Sequence, residues 1–545
     1  MLIPLKRERK IEYALVIFLF LFALALRLPF IHRHPPGLWY DEAINGLDGL
    51  SVIGNIVKTP GKIPVHGFPI FFTTQGHPRE PMFMYLVGLV FLFLKPTLFS
   101  LKLPGLLIGA MTVPLVYLLV KGSANNRRLA FLAALSLLGM RWHIHNSRLA
   151  LRAILLPFWM GLSFFTFFEA VKKQGKVRYL VSGIVFGLGF YTHLSFRFAP
   201  FILGICLIHL FRREILVWKK DRKNLSLFLL AGFLVFLPLG IDYIRNPFHF
   251  FGRLKEVSLF ENGVASGFRM ILKNIVSTLL MFSFRGDRNP YLNIPGAPVL
   301  TPLASLFFYG GIYLCLRRIR EPFSILVFSW IAFMLSGTIL STEAPHFGRS
   351  FGACVPTAIF TGFGLNECYE WIYDFFRKKR AAFITGSLWF IIASCDLGLY
   401  YGKEYRSDAR LWYRTNAGWT EAARKTVKLA EQGVRVFLPG DLYRHPTVQY
   451  VTLGVSDDLV RKISIPEALS GAPDWEKRDH AILATQFNMM DSLLQKEIPS
   501  VEILSIFRNP EGKPWAIFYL LSRSSLLPIK QSEEILKRYQ PDTER

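Results

Sequence analysis

The sequence predicts an α-helical polytopic membrane protein with a small C-terminal α/β domain. Of its 545 residues, 52% are hydrophobic and 50 are Phe. The apolar residues come in blocks of 14–21 residues, close to the length of helix that crosses the hydrocarbon core of a bilayer. From residue 402 onward the chain is more polar and shows the periodicity of soluble helices and strands.

The formal net charge of +26 raises the question of a nucleic-acid partner. Most Lys and Arg residues stand in short runs between apolar blocks, which is typical of cytoplasmic loops under the positive-inside rule. We therefore predict no nucleic-acid partner, because no basic surface with interleaved aromatic residues remains. The runs occupy residues 6–10, 121–128, 172–178, 212–223, 317–320 and 377–380.

These runs predict the topology of the apolar blocks. With 31–82 outside and 121–128 inside, an odd number of crossings must separate them, yet two blocks, 83–99 and 103–120, lie between. The first is short and contains Lys95-Pro96, so we interpret it as a juxtamembrane or re-entrant helix, which leaves about 11 crossings. The alternative is two crossings here with an inverted orientation afterwards, which would place most cationic runs outside.

The N-terminal apolar block admits two interpretations. A cleaved signal peptide is one, because Ala23-Leu24-Ala25 resembles a cleavage site. We favour an uncleaved first helix with a cytoplasmic N-terminus, because the apolar stretch continues to Phe30 and further spans follow. The apolar blocks are residues 11–30, 83–99, 103–120, 129–143, 153–171, 179–193, 198–211, 225–243, 298–316, 323–340, 351–368 and 381–401.

These patterns predict two domains, a transmembrane domain over residues 1–401 and an extracytoplasmic α/β domain over 402–545. We expect the protein to be integral to the inner membrane of a cell envelope. Within the second, the pattern predicts a helix at 420–432, strands at 434–438, 481–485 and 516–521, and a hairpin turn at 509–513. The five Cys residues lie in or beside apolar blocks without metal-ligand spacing. They predict neither a disulfide framework nor a metal site.

Ionisable residues collect at the outer ends of the apolar blocks, where they are costly and require a partner or a function. Together they predict one layer of carboxylates and cations on the outer face. A sugar carried on a polyprenyl phosphate would meet that layer, because its tail lies in the bilayer and its phosphate at the interface. The layer comprises Asp41, Glu42, His77, Arg79, Glu80, His143, His145, Arg148, Arg152, His193, Arg197, Asp242, Arg245, Asp287, Arg288, His346 and Arg349.

Transfer of such a sugar to a hydroxyl requires a base for the acceptor proton and positive charge for the departing phosphate. Asp41-Glu42 offers the base, and Arg side chains offer bidentate phosphate contacts. Each of these residues also has a purely structural explanation. Asp41 suits a helix N-cap, while Arg148 and Arg152, spaced four apart, and Arg349 can extend to lipid headgroups.

Five segments resemble the GT-C superfamily of polytopic glycosyltransferases, particularly the branch of the protein O-mannosyltransferases and the lipid A aminoarabinose transferase. The order of the segments and their loop positions carry the resemblance, which covers residues 1 to about 400. The segments are 37–43 (Gly-Leu-Trp-Tyr-Asp-Glu-Ala), 76–85 (Gly-His-Pro-Arg-Glu-Pro-Met-Phe-Met-Tyr), 145–152 (His-Asn-Ser-Arg-Leu-Ala-Leu-Arg), 286–296 (Gly-Asp-Arg-Asn-Pro-Tyr-Leu-Asn-Ile-Pro-Gly) and 345–350 (Pro-His-Phe-Gly-Arg-Ser).

The resemblance implies an inverting transferase that uses a polyprenyl-phosphate-sugar donor on the extracytoplasmic face, without a cofactor or metal. It implies Asp41 as catalytic base, Glu42 as a supporting acid and Glu80 as an acceptor-side acid. The donor phosphate would contact Arg148, Arg152, Arg349 and His346. The acceptor stays open between glycan, lipid and protein, and residues 77–80 depart from the His-Pro-Pro form of eukaryotic mannosyltransferases, which disfavours a protein.

Two other classes compete with a transferase. A lipid or glycan transporter or flippase would also place charges in membrane segments, but such proteins tend to show repeat symmetry and polar residues in mid-span. Here we find no repeat, and the charges lie towards one face. A non-catalytic scaffold, the other class, does not require an acid pair in a loop beside a cationic layer.

Overall fold

The computed structural model describes residues 2–54, 67–73, 76, 78–256, 259, 264–376, 378–463, 480–485 and 502–521. His77 lies outside this set. Two compact units divide the chain: Met1–Ile31, Phe68–Val90 and Phe99–Tyr405 form the first, and His32–Gly67, Phe91–Leu98 and Arg406–Arg545 the second. The predicted domain boundary at residues 401 and 402 stays a prediction.

The described residues are mostly helical. In chain order the helices are α1 (Leu2–Arg27), α2 (Tyr40–Ile53), α3 (Met82–Phe93), α4 (Leu98–Ala124), α5 (Arg127–Gly139), α6 (Arg141–Ser147), α7 (Leu155–Lys173), α8 (Lys176–Gly189), α9 (Ala199–Arg212), α10 (Trp218–Arg245), α11 (Pro247–Glu256), α12 (Val264–Leu280), α13 (Pro302–Arg317), α14 (Pro322–Ile339), α15 (Cys354–Phe376), α16 (Lys378–Tyr401), α17 (Lys403–Arg406), α18 (Ala409–Arg414), α19 (Ala417–Glu431), α20 (Gly440–Arg444) and α21 (Pro446–Val451). Short 3₁₀ turns cover Arg152–Ile154, Leu194–Phe198 and Phe351–Ala353.

Six helical segments in the described part of the chain are long and apolar enough to cross a bilayer. Their outward side chains support that placement, since large apolar groups such as Leu229, Phe233 and Leu234 on α10 are exposed and would be costly in water. The predicted count of about 11 crossings stays a prediction. The six segments are Leu98–Ala124, Arg152–Lys173, Leu194–Arg212, Trp218–Arg245, Pro322–Ile339 and Lys378–Tyr401.

Small residues let the helices of the first unit approach closely, as is usual where no hydrophobic effect drives packing. A methyl group on Gly183 of α8 would collide with the main chain of Phe228 on α10. A methyl group on Gly311 of α13 would likewise collide with the main chain of Phe360 on α15. These glycines therefore fix the separation of two helix pairs in the first unit.

Two short helices depart from the spanning pattern. α3 has 12 residues, which corresponds to about 18 Å of helix against a hydrocarbon core of about 30 Å. α12 was not among the predicted apolar blocks, because Arg269, Lys273 and Asn274 interrupt its apolar run. It is amphipathic, and one face leaves Phe268, Leu272, Val276 and Leu279 exposed.

A five-stranded sheet in the second unit confirms the predicted C-terminal α/β domain. The strands are β1 (Arg435–Pro439), β2 (Val460–Ile463), β3 (His480–Thr485), β4 (Glu502–Arg508) and β5 (Pro514–Leu521), in the order β2-β1-β3-β5-β4. β1 pairs in parallel with β2 and β3, while β5 pairs antiparallel with β3 and β4. The predicted helix corresponds to α19, and the predicted hairpin joins β4 to β5.

Candidate functional site

The acid pair occupies the first turn of α2, after Trp39, whose extended backbone caps the helix. Glu42 is fully buried, and its Oε2 accepts a hydrogen bond from Trp39 N at 3.3 Å. Asp41 is exposed on the same turn. The two adjacent acids therefore differ in role: Glu42 holds the start of the helix, while Asp41 presents a carboxylate outward. Both are favoured by the positive end of the helix dipole.

A buried ion-pair cluster lies within the first unit, around Glu80. Glu80 is only 2% exposed, and its Oε2 accepts a hydrogen bond from Arg152 Nη1 at 2.8 Å. A second cation, Arg197, places Nη2 4.0 Å from Oε1. Two backbone hydrogen bonds between Phe72 and Arg79 hold the segment just before Glu80. The structure thus brings together two of the predicted site residues, Glu80 and Arg152.

Arg197 is anchored on its other side by α10 and α11. Its Nη2 donates to the Tyr243 hydroxyl at 2.9 Å, its Nη1 donates to the Phe250 carbonyl at 2.8 Å, and its guanidinium lies 4.3 Å from the Phe250 ring centroid. His193 completes the cluster, with its Nδ1 accepting from Ser195 N at 3.1 Å.

Arg148 lies in a different environment from Arg152. It is fully buried, donates from Nη1 to the main-chain carbonyl of Arg27, and makes a 3.1 Å hydrogen bond from the same atom to the Tyr401 hydroxyl. Its guanidinium also lies 5.2 Å from the Tyr401 ring centroid. These contacts join α6, the end of α1 and the end of α16, which is the geometry of a structural anchor.

Asp287 holds the loop 281–301 against the loop that carries His346 and Arg349. Its Oδ2 accepts from Phe347 N and its Oδ1 from Asn289 N, both at 2.8 Å. Burial raises the pKa of the Asp287 carboxyl, while these two amide donors lower it. Asp287 therefore orders two loops that contribute to the predicted outer layer.

His346 has a defined tautomer when neutral. Its Nδ1 accepts a hydrogen bond from the main-chain N of Arg349 at 3.2 Å, so its proton lies on Nε2. Its own main-chain N donates to Thr338 Oγ1 at 2.8 Å. The ring is thereby held with a donor nitrogen, which suits contact with an anion.

A cavity of about 650 Å³ opens beside His346, within the first unit. Its volume falls in the usual range for small-molecule sites. The polar face of α12 and the loops 281–301 and 341–350 line it, and cations outnumber acids on its walls. The ionisable lining residues are Lys273, Arg285, Asp287, Arg288, Glu343 and His346.

Some of these residues were absent from the predicted site. Lys273 lies on α12, which the apolar pattern does not predict, and Arg285 lies just before the segment 286–296 that the sequence singles out. Arg197 stood in the predicted outer layer without a role. Among the described residues, no three or more His, Cys, Asp or Glu side chains are grouped so as to hold a metal ion.

Comparisons with known proteins agree with this architecture. Residues 76–241 match a family model described as dolichyl-phosphate-mannose-protein mannosyltransferase. The fold is similar to that of ArnT from Cupriavidus metallidurans bound to undecaprenyl phosphate, with a TM-score of 0.52, 12% identity, and coverage of 94% of this chain and 97% of that chain. No curated protein matches the sequence.

A second similar structure is the archaeal oligosaccharyltransferase AglB from Archaeoglobus fulgidus, in complex with an inhibitory peptide and a dolichol-phosphate. Its TM-score is 0.51 and its identity 14%, with coverage of 83% of this chain and 64% of that chain. Identities this low establish the fold. The chain is therefore an integral membrane protein with the GT-C glycosyltransferase fold, and it resembles the protein O-mannosyltransferase and aminoarabinose transferase branch.

Proposed function

We propose that the chain transfers a sugar from a polyprenyl-phosphate-sugar donor to an acceptor hydroxyl. The observation that carries the proposal is the cation-lined cavity of about 650 Å³ beside the exposed apolar face of α12. A ligand with a phosphate head and a long apolar tail suits that combination. In support, similar structures contain undecaprenyl phosphate or dolichol-phosphate.

The donor phosphate binds, in this proposal, to Lys273, Arg285, Arg288 and His346 at the cavity. Arg349 follows His346 in the same loop and adds positive charge there. Charge-assisted hydrogen bonds to phosphate are roughly twice as strong as neutral ones. As the bond between the sugar and the phosphate lengthens, these cations stabilise the charge that develops on the leaving oxygen.

Asp41 acts as the general base. Its carboxylate removes the acceptor hydroxyl proton as the acceptor oxygen attacks the anomeric carbon. The bond between the anomeric carbon and the phosphate oxygen breaks, and its electron pair leaves with the polyprenyl phosphate. The configuration at the anomeric carbon is thereby inverted. General-base catalysis of this kind contributes typically about 10²–10⁴-fold. Glu42 supports the base by holding the first turn of α2, at 3.3 Å from Trp39 N.

Within the Glu80 cluster, Glu80 takes a supporting role on the acceptor side and Arg152 one on the donor side. Glu80 fixes Arg152 through the 2.8 Å hydrogen bond, and Arg152 contributes positive charge toward the donor phosphate. Arg148 is assigned as a positioning residue, because its side chain is occupied by the end of α1 and by Tyr401. We place the reaction on the extracytoplasmic face of the inner membrane, where the positive-inside rule puts these loops.

The proposal is tested with the full-length protein in liposomes that contain radiolabelled polyprenyl-phosphate sugars, offered as a panel of hexosyl and pentosyl donors. Glycan, lipid and peptide acceptors are supplied separately. Label is expected to move from one donor to one acceptor class, with one polyprenyl phosphate released per sugar transferred. Label that stays on the carrier and merely changes leaflet would instead establish a flippase.

A further inference from the structure

The backbone of Leu38, immediately ahead of the α2 cap, is held on both sides by threonine hydroxyls of the second unit. Leu38 N donates to Thr420 Oγ1 at 2.9 Å. Thr447 Oγ1 donates to Leu38 O, also at 2.9 Å. All three residues are fully buried. Two side chains thus replace the pairing that a neighbouring strand would give, and we name this arrangement the Leu38 clamp.

The two hydroxyls have fixed and opposite directions. Thr420 Oγ1 donates its single proton to Asn416 O at 2.9 Å, so it is an acceptor toward Leu38 N. Thr447 uses its proton on Leu38 O. Thr420 therefore accepts from the amide of Leu38 and Thr447 donates to its carbonyl, so neither hydroxyl can replace the other.

The residues around Leu38 leave little freedom for the segment to shift. A methyl group on Gly37 would collide with the Thr415 carbonyl, and it would lie 2.6 Å from Ala417 Cα. On the other side, the Tyr40 ring meets the His445 ring edge-on at 5.5 Å. The segment therefore runs between the start of α19 and the start of α21 in close contact with both.

Asp41 lies three residues after Leu38, in the first turn of a helix whose start is fixed by Glu42. A displacement of Leu38 consequently moves the Asp41 carboxylate. In enzymes, misplacing a reacting group by about 1 Å can reduce the rate by about 10²-fold. The C-terminal part of the chain is thus connected to the catalytic carboxylate of Asp41 through two hydroxyl groups.

We propose that Thr420 and Thr447 are positioning residues that set Asp41 for proton abstraction. The inference rests on the proposed function, since it assigns a catalytic consequence to the clamp. It also gives the C-terminal domain a role, namely to hold the catalytic helix in register.

The chain offers a matched control in the same helix. Thr426 is buried on α19 and donates to Ala422 O at 3.0 Å, as Thr420 donates to Asn416 O. Both threonines are thus buried on α19 and bond the carbonyl four residues earlier, while the hydrogen bond from Leu38 N goes to Thr420. Thr420→Val, Thr420→Ser and Thr426→Val are compared in the full-length protein, reconstituted in lipid nanodiscs.

Two readouts are taken: steady-state transfer kinetics, and amide hydrogen exchange of the peptide that contains Leu38. Thr420→Val is expected to lower kcat about 10- to 100-fold, with little change in the donor KM, and to speed exchange of that peptide. Thr420→Ser retains the hydroxyl and is expected to restore both. Thr426→Val is expected to match the wild type in both. Should Thr420→Val fail to fold, Thr447→Val and Thr447→Ser replace it. Thr447→Val is then expected to lower kcat without a required change in exchange, because Thr447 bonds the carbonyl of Leu38 and not its amide.

The possible failures are separable. Faster exchange with unchanged kcat in Thr420→Val would refute the positioning role while leaving the transferase intact. A similar loss of kcat in Thr426→Val would reduce the effect to general destabilisation and also refute it. If Asp41→Asn transfers sugar as fast as the wild type, Asp41 is not the base and the catalytic role of the clamp falls with it, whereas no transfer by the wild type from any donor would refute the proposed function itself.

Discussion

Glu80 and Arg152 form a hydrogen-bonded ion pair of 2.8 Å between residues 72 positions apart in the chain. The side chain of Glu80 is only 3% exposed and that of Arg152 22% exposed, so the pair is largely removed from water. The pair joins the segment that leads into α3 to the turn that leads into α7. It is therefore both an element of the proposed site and a constraint on the loops around it.

Removing one member of this pair should be more harmful than removing both. Glu80→Ala leaves the Arg152 charge without its partner, and for buried pairs such a change costs about 3–5 kcal/mol. The double variant Glu80→Ala/Arg152→Ala should recover part of that loss. Thermal unfolding of the purified variants in detergent measures the effect. Strictly additive losses would show that the pair is not coupled.

The cavity cations should affect the donor more than the acceptor. Arg285→Ala or Arg288→Ala removes a charge-assisted contact to phosphate, and the loss of about 1.5 kcal/mol or more raises the donor KM about 10-fold. The acceptor KM should stay unchanged. Arg424→Ala, on the exposed face of α19, is the control for loss of one positive charge. A rise in the acceptor KM alone would assign the cavity to the acceptor.

Acidification should destabilise the protein through His145 on α6. Burial lowers its pKa to about 4, while its Nε2 lies 2.5 Å from the Tyr291 carbonyl. The unfolded state therefore binds more protons between the ordinary pKa of 6.5 and the folded value, so stability falls as pH drops through that interval. At pH 5 the cost is about 2 kcal/mol.

The apparent Tm of the wild type should thus fall more between pH 7 and pH 5 than that of His145→Gln, in which the titrating ring is absent. An equal fall in both proteins would show that His145 does not cause the loss of stability at low pH.

Glu42 should tolerate a substitution that Asp41 does not. Glu42→Gln keeps a side-chain acceptor for Trp39 N, so transfer activity should stay near that of the wild type. Glu42→Ala loses the cap and should lower stability by about 1 kcal/mol. Activity and unfolding of the two variants distinguish the cases. Loss of activity in Glu42→Gln at unchanged stability would make Glu42 a chemical participant.

Local patterns in the sequence were sufficient for the C-terminal elements. The alternation at residues 434–438 and the turn chemistry at 509–513 depend on neighbours within a few positions, and the structure has β1 and the β4–β5 hairpin there. β2 was missed because its core, Arg461-Lys462, is charged. α12 was missed because it is amphipathic, and an apolar run detects only helices that are apolar all round.

The sequence predicted which kinds of residue form the candidate site, but not which of them contact each other. Ionisable groups at the outer helix ends signalled a charged layer, and the structure joins Glu80 to Arg152 within it. Nothing in the sequence separates Arg148, which anchors α1, from Arg152, four residues later, which pairs with Glu80. That difference arises from tertiary packing. The Leu38 clamp arises in the same way, since Thr420 and Thr447 lie 382 and 409 residues after Leu38 in the chain.

Asp41 is the proposed catalytic base, and the most direct test of this role is transfer by Asp41→Asn in membranes supplied with radiolabelled polyprenyl-phosphate sugar. Asparagine keeps the size and polarity of the side chain and removes its basicity. We expect a loss of transfer of at least about 10²-fold, with expression, insertion and Tm equal to those of the wild type. Full transfer by a folded, inserted Asp41→Asn protein would contradict it.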